Sequence, residues 1–233
     1  RIVQQDYAPA EQVKRTAQRM GISTDIRAVD AIALGTSEVI PLEMVSAYAA
    51  YANKGVYSKP FAITKIEDRY GNTIREYGAV QYEVLSEEIA FLMTNLMQTV
   101  MDRGTAGSAR WKYKFTRPAA GKTGTTQGWS DAWFVGFTPQ LATGVWFGVD
   151  DYQVSLGMGQ DGSKAALPTW ARFMRDGHDI LEMPRVNFQR PSGIIVSEIC
   201  SVSKMGARKA CPVEKEVYKS GSEPGQKCRI HRN

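Results

Sequence analysis

The feature that most constrains this fold is a succession of three short strand-like segments between residues 119 and 151. The second and third segments, residues 131–139 and 143–151, are rich in aromatic and β-branched residues, and a turn containing Pro139 separates them. Such runs, bounded by turn residues, are typical of strands. Three strands joined by short turns predict an antiparallel meander. We expect the first segment, residues 119–126, to form an edge of that sheet.

The first of these segments has the composition of an active-site strand. A lysine, a glycine and three threonines occupy positions 122–126. Because side chains alternate between the faces of a strand, Lys122, Gly124 and Thr126 should share one face, and Thr123 and Thr125 the other. A glycine in a strand lets a second backbone approach closely. A cation and hydroxyl groups beside that gap suit a peptide carboxylate, bound as an added strand.

These residues resemble a known family. Lys-Thr-Gly is a motif of penicillin-binding proteins and serine β-lactamases. The surroundings of this motif are similar to the transpeptidase domain of class A penicillin-binding proteins. They consist of Gly-Lys-Thr-Gly-Thr-Thr, then Asp-Ala-Trp-Phe-Val-Gly-Phe-Thr-Pro, then Gly-Val-Trp-Phe-Gly-Val-Asp-Asp. Those bifunctional enzymes polymerise and cross-link peptidoglycan. The likeness also covers residues 33–44 and 47–57, and it reaches the cysteine-containing tail.

The resemblance implies a fold in the mixed α/β (α+β) class. The penicillin-binding and serine β-lactamase-like transpeptidase fold is a five-stranded antiparallel sheet flanked by helices, and three of those strands would lie here. Since the chain starts at Arg1 without a methionine, we expect a fragment whose N-terminal part is missing. Residues 1–181 would be the C-terminal part of the transpeptidase domain. Residues 182–233 are predicted to be an irregular, basic, cysteine-containing tail, because no long period occurs there and prolines interrupt it at Pro184, Pro191, Pro212 and Pro224.

The resemblance also implies roles for the site strand. Lys122 would hold the charge network near the nucleophile, and Thr123 and Thr125 would bind the terminal carboxylate of a stem peptide or a β-lactam. The backbone N–H of Thr125 would be one donor of the oxyanion hole. Lys122 and Thr125 are therefore the catalytic candidates, and Gly124 and Thr126 complete the predicted substrate-binding set.

Two serine motifs of the family are not found ahead of this strand. The family combines a Ser-x-x-Lys pair, a Ser-x-Asn group and Lys-Thr-Gly. Ser-x-x-Lys occurs once, at Ser201 and Lys204, inside the tail, and Ser-x-Asn does not occur. Tyr51-Ala52-Asn53 matches a Tyr-x-Asn variant, but it falls in a helix that the family uses structurally. We therefore expect the nucleophilic serine to lie outside this chain.

Other kinds of site fit the sequence less well. A phosphate-binding loop ending in Gly121-Lys122-Thr123 would require glycine where Thr116 stands. A Ser-His-Asp hydrolase would have to use His178 or His231, and His178 is predicted in a loop after a helix. The functional alternatives are a non-catalytic peptidoglycan-binding module, and a serine β-lactamase or D,D-carboxypeptidase relative. The latter enzymes lack the context of residues 131–139 and this tail in the form seen here.

The distribution of charge along the chain indicates which kinds of partner the protein can bind. The net charge is +5, and residues 201–233, with eight basic and three acidic residues, account for the whole excess. Nucleic-acid binding would require stacking aromatic residues among these charges, and Tyr218 is the only one there. The resemblance instead implies the peptidoglycan stem peptide on its lipid-linked precursor, β-lactam antibiotics and an upstream glycosyltransferase domain. It implies no cofactor, and a periplasmic location with an anchor upstream.

The three cysteines leave a zinc site, a disulfide and free thiols open as alternatives. Cys200, Cys211 and Cys228 with His231 could form a Cys3His zinc site, although the spacings between the cysteines are long for a compact zinc knuckle. In an envelope protein a disulfide is favoured, with Cys200 and Cys211 as the preferred pair because they close the shorter loop. Our site assignment accordingly includes no metal.

Helical periodicity and capping signals complete the sequence-based prediction. Helices are predicted over residues 9–20, 41–53, 86–101 and 165–175, and a hairpin over residues 61–77. Residues 104–110 are predicted to be a flexible link. Ser86 is predicted to cap its helix. The predicted buried faces are Leu42, Val45, Ala49 and Ala52 in one helix, and Ile89, Leu92, Leu96 and Val100 in the next.

Overall fold

The computed structural model describes residues 8–151 and 153–231. Its helices are α1 (Ala10–Arg19), α2 (Pro41–Ala52), α3 (Glu87–Asp102), α4 (Ser108–Trp111) and α5 (Ala166–Ile180), with short 3-10 helices at Asp30–Leu34 and Gln127–Trp129. Its strands are β1 (Val56–Ser58), β2 (Lys65–Glu67), β3 (Thr73–Glu76), β4 (Gln81–Glu83), β5 (Ala120–Thr125), β6 (Asp131–Phe137), β7 (Ala142–Gly148), β8 (Ile194–Cys200) and β9 (Val213–Lys219). None of the helices in these residues has the length and apolar character of a membrane span.

The central sheet is the predicted antiparallel meander. Strands β5, β6 and β7 follow one another in space as in sequence, so β5 is an edge strand. In the register, Lys122 lies opposite Val135 and Gly124 opposite Trp133. The predicted hairpin is also present, as the antiparallel pair of β2 and β3, and β1 pairs separately with β4.

The sheet is covered on both faces. On one face, Trp170 of α5 packs edge-on against Phe134 of β6, with ring centroids 4.9 Å apart. On the other face, Tyr51 of α2 stacks on Phe137 with centroids 6.4 Å apart. Phe134 and Phe137 are three residues apart on one strand, so their side chains point to opposite faces. The sheet is therefore the middle layer between α5 and α2.

Many of the buried side chains are small. Eight fully buried residues of the described chain are alanines. A methyl group fills little of the space between two backbones, and protein interiors leave few voids, so helices and strands approach closely at these points. The eight residues are Ala90, Ala106, Ala109, Ala119, Ala120, Ala132, Ala166 and Ala171.

The predicted buried faces of α2 and α3 are only partly correct, because Ala52 and Val100 pack against the core while other predicted residues are exposed. Ser86 caps α3 as expected, because its Oγ accepts a hydrogen bond from the Ile89 N–H at 3.4 Å. However, Leu96 of α3 is 61% exposed and Leu42 of α2 is 59% exposed. Both helices are apolar around most of their circumference, so periodicity alone does not select the face. The residues that they bury are Ser46, Ala47 and Ala50 in α2, and Ala90, Thr94, Met97 and Met101 in α3.

The segment after α3 is not the predicted flexible link. It contains α4, and Ala106 and Ala109 are fully buried. The Arg110 guanidinium fixes the segment by donating to Asp102 Oδ1 at 2.9 Å and to the Arg117 carbonyl at 2.6 Å. The prediction failed because the glycines of this segment suggest a flexible link, whereas its alanines pack into the core.

His178 lies inside α5, not in a loop. The helix continues to Ile180, and the His178 ring is fully buried. Its Nδ1 lies 2.6 Å from the Met174 carbonyl oxygen and its Nε2 lies 2.9 Å from Thr138 Oγ1. Since the carbonyl can only accept, Nδ1 carries the proton and Nε2 accepts from the threonine hydroxyl. The bond with Thr138 fastens the last turns of α5 to the β6–β7 turn.

The tail beyond residue 182 is not irregular. Strands β8 and β9 form an antiparallel hairpin that runs from the Ile194–Lys219 pair to the Cys200–Val213 pair. The hairpin packs against α3: a Cβ added to Gly193 would lie 2.8 Å from the Glu88 carboxylate. The prolines that suggested irregular structure lie outside the strands, so they mark where the hairpin begins and turns.

Candidate functional site

Strand β5 presents the predicted site residues along an edge of the sheet. Lys122 and Thr125 are exposed, and Thr123 and Gly124 are half-buried. Residues paired across an antiparallel ladder share a face. Thr123 therefore lies on the Phe134 side and Lys122 on the Val135 side. The strand thus carries a cation on one face and hydroxyl groups on the other.

The Thr123 hydroxyl has a partner that the sequence did not identify. Its Oγ1 lies 2.8 Å from the Oγ1 of Thr105, which follows the C-terminal end of α3. Thr105 is exposed, so the two hydroxyls form a polar pair beside the strand. The sequence indicates this contact only through a hydroxyl residue next to Gly104, within the segment predicted to be a flexible link.

The Thr125 hydroxyl is held by the glycine-rich loop before α5. Its Oγ1 accepts a hydrogen bond from the Gly162 N–H at 3.1 Å. A Cβ added to Gly162 would lie 2.2 Å from the Trp133 carbonyl oxygen and 2.7 Å from the Gly124 carbonyl oxygen. Only a glycine can let the loop lie this close to the β5–β6 pair. The loop of residues 157–163 is therefore part of the site.

The same loop is held in shape by Asp161. Its Oδ1 accepts hydrogen bonds from the Ser163 N–H at 2.8 Å, the Ser163 hydroxyl at 2.5 Å and the Lys164 N–H at 3.0 Å. Partial desolvation of the carboxylate raises its pKa, but the hydrogen bonds from Ser163 and Lys164 outweigh it, and the pKa of Asp161 is lowered. A charged carboxylate thus fixes the turn that places Gly162.

The Lys122 ammonium group remains available for an anionic partner. Its Nζ donates to the Thr123 carbonyl at 2.7 Å, and no ion pair to it occurs among the described residues. An exposed ammonium group with unused donors can bind a carboxylate or polarise a nearby hydroxyl.

Thr126 lies beyond the end of β5, and its hydroxyl closes the turn into β6. Its Oγ1 accepts from the Asp131 N–H at 2.8 Å and lies 2.8 Å from the Ser130 hydroxyl. The Asp131 carboxylate in turn accepts from the Trp146 indole N–H at 2.8 Å. These contacts support the sheet, and substrate binding by Thr126 stays a prediction.

The two alternative motif matches lie outside this site. Lys204, which follows a turn of the tail, pairs with Glu214, and among the described residues no hydrogen bond joins it to the Ser201 hydroxyl. Asn53 is the residue after α2, and its amide donates to the Val56 carbonyl at 3.0 Å. Both matches are therefore explained by local structure.

A second cluster with chemical potential lies in the tail. Cys200, Cys211 and Cys228 are free thiols, so the favoured Cys200–Cys211 disulfide is not formed. Their sulfurs and His231 lie together, with all ligand atoms within 4.8 Å of one another. The His231 N–H donates to Cys228 Sγ at 3.5 Å, and this bond is the largest contribution that lowers the pKa of Cys228 to about 5.

An edge strand bearing Lys-Thr-Gly, backed by helices on both faces of its sheet, is the architecture of serine acyltransferases of the penicillin-binding type. Residues 12–175 match the family described as penicillin binding protein transpeptidase domain. The chain is 36% identical to penicillin-binding protein 1A of Aquifex aeolicus over 224 residues, 96% of this chain and 30% of that protein. It is 32% identical to penicillin-binding protein 2D of Bacillus subtilis over 220 residues, 92% of this chain and 31% of that protein.

Solved structures show the same relationship. Penicillin-binding protein 1A from Haemophilus influenzae superposes with a TM-score of 0.86 at 26% identity, covering 95% of this chain and 38% of that one. The PonA1 protein of Mycobacterium tuberculosis, in complex with penicillin V, gives a TM-score of 0.65 at 26% identity, covering 79% of this chain and 53% of that one.

The chain belongs to the penicillin-binding protein transpeptidase family, and its fold is that of the family. The resemblance on which the sequence-based prediction relied is thereby confirmed. The chain spans about a third of the length of the curated relatives it matches.

Proposed function

We propose that these residues form part of a peptidoglycan D,D-transpeptidase and that β5 is the wall against which the stem peptide, or a β-lactam, binds. The observation that carries this proposal is the Lys-Thr-Gly strand itself, which lies at an edge of the described sheet with Lys122 and Thr125 exposed. A free edge can accept an extended peptide through main-chain hydrogen bonds.

Each side chain of the strand then has a distinct task. Lys122 supplies positive charge beside the reacting serine, and the hydroxyls of Thr123 and Thr125 bind the terminal carboxylate of the substrate. The contacts with Thr105 and Gly162 hold these hydroxyls in place before substrate arrives. Positioning of this kind lowers the barrier because the site needs little rearrangement during the reaction. The Thr125 N–H stabilises the oxyanion, a contribution of about 3–4 kcal/mol when one such donor is lost.

The reaction is serine acyl transfer. A serine oxygen attacks the carbonyl carbon of the penultimate D-alanine, the bond to the terminal D-alanine breaks, and an acyl-enzyme forms. The amine of a neighbouring stem peptide then attacks the ester and regenerates the serine. The only Ser-x-x-Lys pair here is Ser201 with Lys204, in the tail, so we propose that the nucleophile comes from a part of the protein outside these residues.

Several of its relatives are named penicillin-binding protein 1A, and this name supports a proposal about the whole protein. We propose a periplasmic enzyme, anchored through another segment, that shares its chain with a glycosyltransferase domain and acts on lipid-linked peptidoglycan precursors. We also propose a domain boundary near residue 182, since the family match ends at residue 175 and the β8–β9 hairpin lies beyond it.

Gly124→Val tests the site assignment in the complete protein. A Cβ at Gly124 would lie 3.1 Å from Trp133 Cβ, so the sheet has to yield by only a few tenths of an ångström. The valine branches, however, occupy space that the peptide backbone requires. We expect labelling by a fluorescent penicillin to fall by about 100-fold or more, with the circular dichroism melt largely retained.

The matched control is Gly78→Val, because a Cβ on Gly78 meets nothing within 4 Å. That variant should label like the parent protein. Normal labelling of Gly124→Val would count against β5 as the binding wall. Loss of labelling in both variants would show that valine substitution acts through the fold and not through the site.

A further inference from the structure

The tail brings four potential metal ligands together from three places in the sequence. Cys200 and Cys228 are fully buried, and Cys211 and His231 are half-buried. Nδ1 of His231 lies 3.4 Å from the Sγ of Cys200 and 3.4 Å from the Sγ of Cys228. With the Cys211 sulfur, all four ligand atoms fall within 4.8 Å of one another.

The backbone of the tail builds this cluster. Cys200 ends β8 and Cys211 precedes β9, so the hairpin brings them to one end. The last segment of the chain joins them through Gly206, whose carbonyl accepts from the Cys228 N–H at 2.9 Å and whose N–H donates to the Gln226 carbonyl at 3.0 Å. The hairpin loop therefore spans the residues between Cys200 and Cys211, and the last segment brings Cys228 to them in spite of the long spacing.

The distances fit a tetrahedral metal better than a disulfide. With bonds of about 2.3 Å to sulfur and about 2.0 Å to nitrogen, a tetrahedral zinc ion separates its ligands by roughly 3.5–3.8 Å. The two sulfur–nitrogen distances of 3.4 Å are close to that spacing. A disulfide would require two sulfurs about 2.0 Å apart, and none of the cysteines is paired in this way.

The tail also has little other means of holding itself together. Among residues 194–231, the buried hydrophobic side chains are Ile194, Ile199, Cys200 and Cys228. Units below about 40 residues generally depend on disulfides, metals or association to fold. The hairpin gains some support from α3, where Gly193 meets Glu88, but this contact lies at the end of the hairpin away from the cysteines.

We propose that Cys200, Cys211 and Cys228, through their sulfurs, and His231, through Nδ1, bind one Zn²⁺ ion as a structural site. Four protein ligands fill a tetrahedral shell and leave no position for water, which is typical of a structural and not a catalytic zinc. Three thiolates and one zinc ion carry a net charge of −1, which suits a tail with eight basic and three acidic residues. This replaces the sequence-based assignment, which included no metal.

Backbone N–H groups already point at the sulfurs, as the outer shell of such a site requires. The Arg208 N–H donates to Cys211 Sγ at 3.2 Å, and the His231 N–H donates to Cys228 Sγ at 3.5 Å. The Arg208 side chain donates in addition to the Cys228 carbonyl at 2.7 Å. The turns that carry the ligands are thus fixed to one another.

The test uses the 233-residue chain, purified without chelator under an inert atmosphere, and measures bound metal by elemental analysis. One zinc per chain is expected. Replacing zinc with Co²⁺ should give thiolate-to-cobalt absorption and the intense visible bands of a tetrahedral site. Cys211→Ser and Cys228→Ser should weaken binding by about 100-fold or more, since even outer-shell changes cost 10–100-fold. Lys209→Ser, an exposed change in the same loop, is the matched control and should bind like the parent chain.

If a cysteine variant fails to fold, thiol alkylation of the unmutated chain, followed by intact mass measurement, still tests the proposal. In the unmutated chain, zinc should protect all three thiols, and a chelator should expose all three together. A chain that takes up no zinc while three thiols react freely overturns the proposal. So does a stable disulfide that leaves one thiol and excludes zinc, or bound zinc that both serine variants retain.

Discussion

Gly162→Ala should impair the site without changing any side chain of the proposed substrate-binding strand β5. A Cβ at this position would lie 2.2 Å from the Trp133 carbonyl oxygen, whereas ordinary contact begins at 3.4 Å, so the loop has to lift by about 1.2 Å. The neighbouring atoms are backbone atoms of the β5–β6 pair and cannot rotate away. Lifting the loop breaks the 3.1 Å bond from the Gly162 N–H to the Thr125 hydroxyl.

The size of the effect follows from that displacement. A misplacement of about 1 Å in a catalytic site can cost about 100-fold in rate, and overpacking of this kind costs about 1–3 kcal/mol of stability. We therefore expect the second-order rate constant for acylation of the complete protein by a fluorescent penicillin to fall by about 100-fold. The melting temperature should fall by about 2–12 °C, at about 2–4 °C per kcal/mol.

Gly78→Ala serves as the control, because a Cβ there meets nothing within 4 Å. Its acylation rate and melting temperature should match those of the parent protein. The reasoning would be refuted if Gly162→Ala were acylated within about threefold of the parent rate. That result would mean that the loop does not set the position of Thr125 during the reaction.

Two further predictions concern the 233-residue chain alone. The chain should form no acyl-enzyme with penicillin, because Lys204 pairs with Glu214 and not with Ser201; a stoichiometric gain in intact mass would show that the nucleophile is here. Thr138→Val should lower the free energy of unfolding by about 1–3 kcal/mol in urea titrations followed by tryptophan fluorescence, because it leaves the buried His178 Nε2 unsatisfied. Adding His178→Leu should cost less than the sum of the two single changes, and strict additivity would contradict the assigned pair.

The sequence predicted the parts of the fold that local chemistry decides. The meander, its edge strand and the pairing of β5 with β6 could be inferred because aromatic and β-branched runs alternate with turns over a short distance. The cap at Ser86 followed from a preference that involves only neighbouring residues. These features required no knowledge of distant contacts.

The missed features depend on contacts between remote segments. The burial of His178 depends on Thr138, forty residues earlier in the chain. The roles of Thr105 and Gly162 arise where separate loops reach β5, and a hydroxyl residue beside Gly104 or a glycine in a loop is too weak a local signal to identify such contacts. The cysteine cluster likewise needs the β8–β9 hairpin, which was taken for irregular chain because prolines flank its strands. Periodicity also failed for α2 and α3, since tertiary packing selects among several apolar faces.

The buried alanines restrict how the amino-acid sequence of this domain can vary. Where the spacing of two layers rests on methyl groups, as at Ala120 in β5 and Ala171 in α5, any larger side chain acts as a wedge. A wedge behind β5 displaces the whole strand, and Lys122, Thr123 and Thr125 move with it. The dimensions of the proposed substrate-binding wall are thus set by small side chains that do not contact a substrate. Under the proposed function, the rates of acylation by β-lactams and of cross-linking depend on the spacing of the layers as well as on the Lys-Thr-Gly motif.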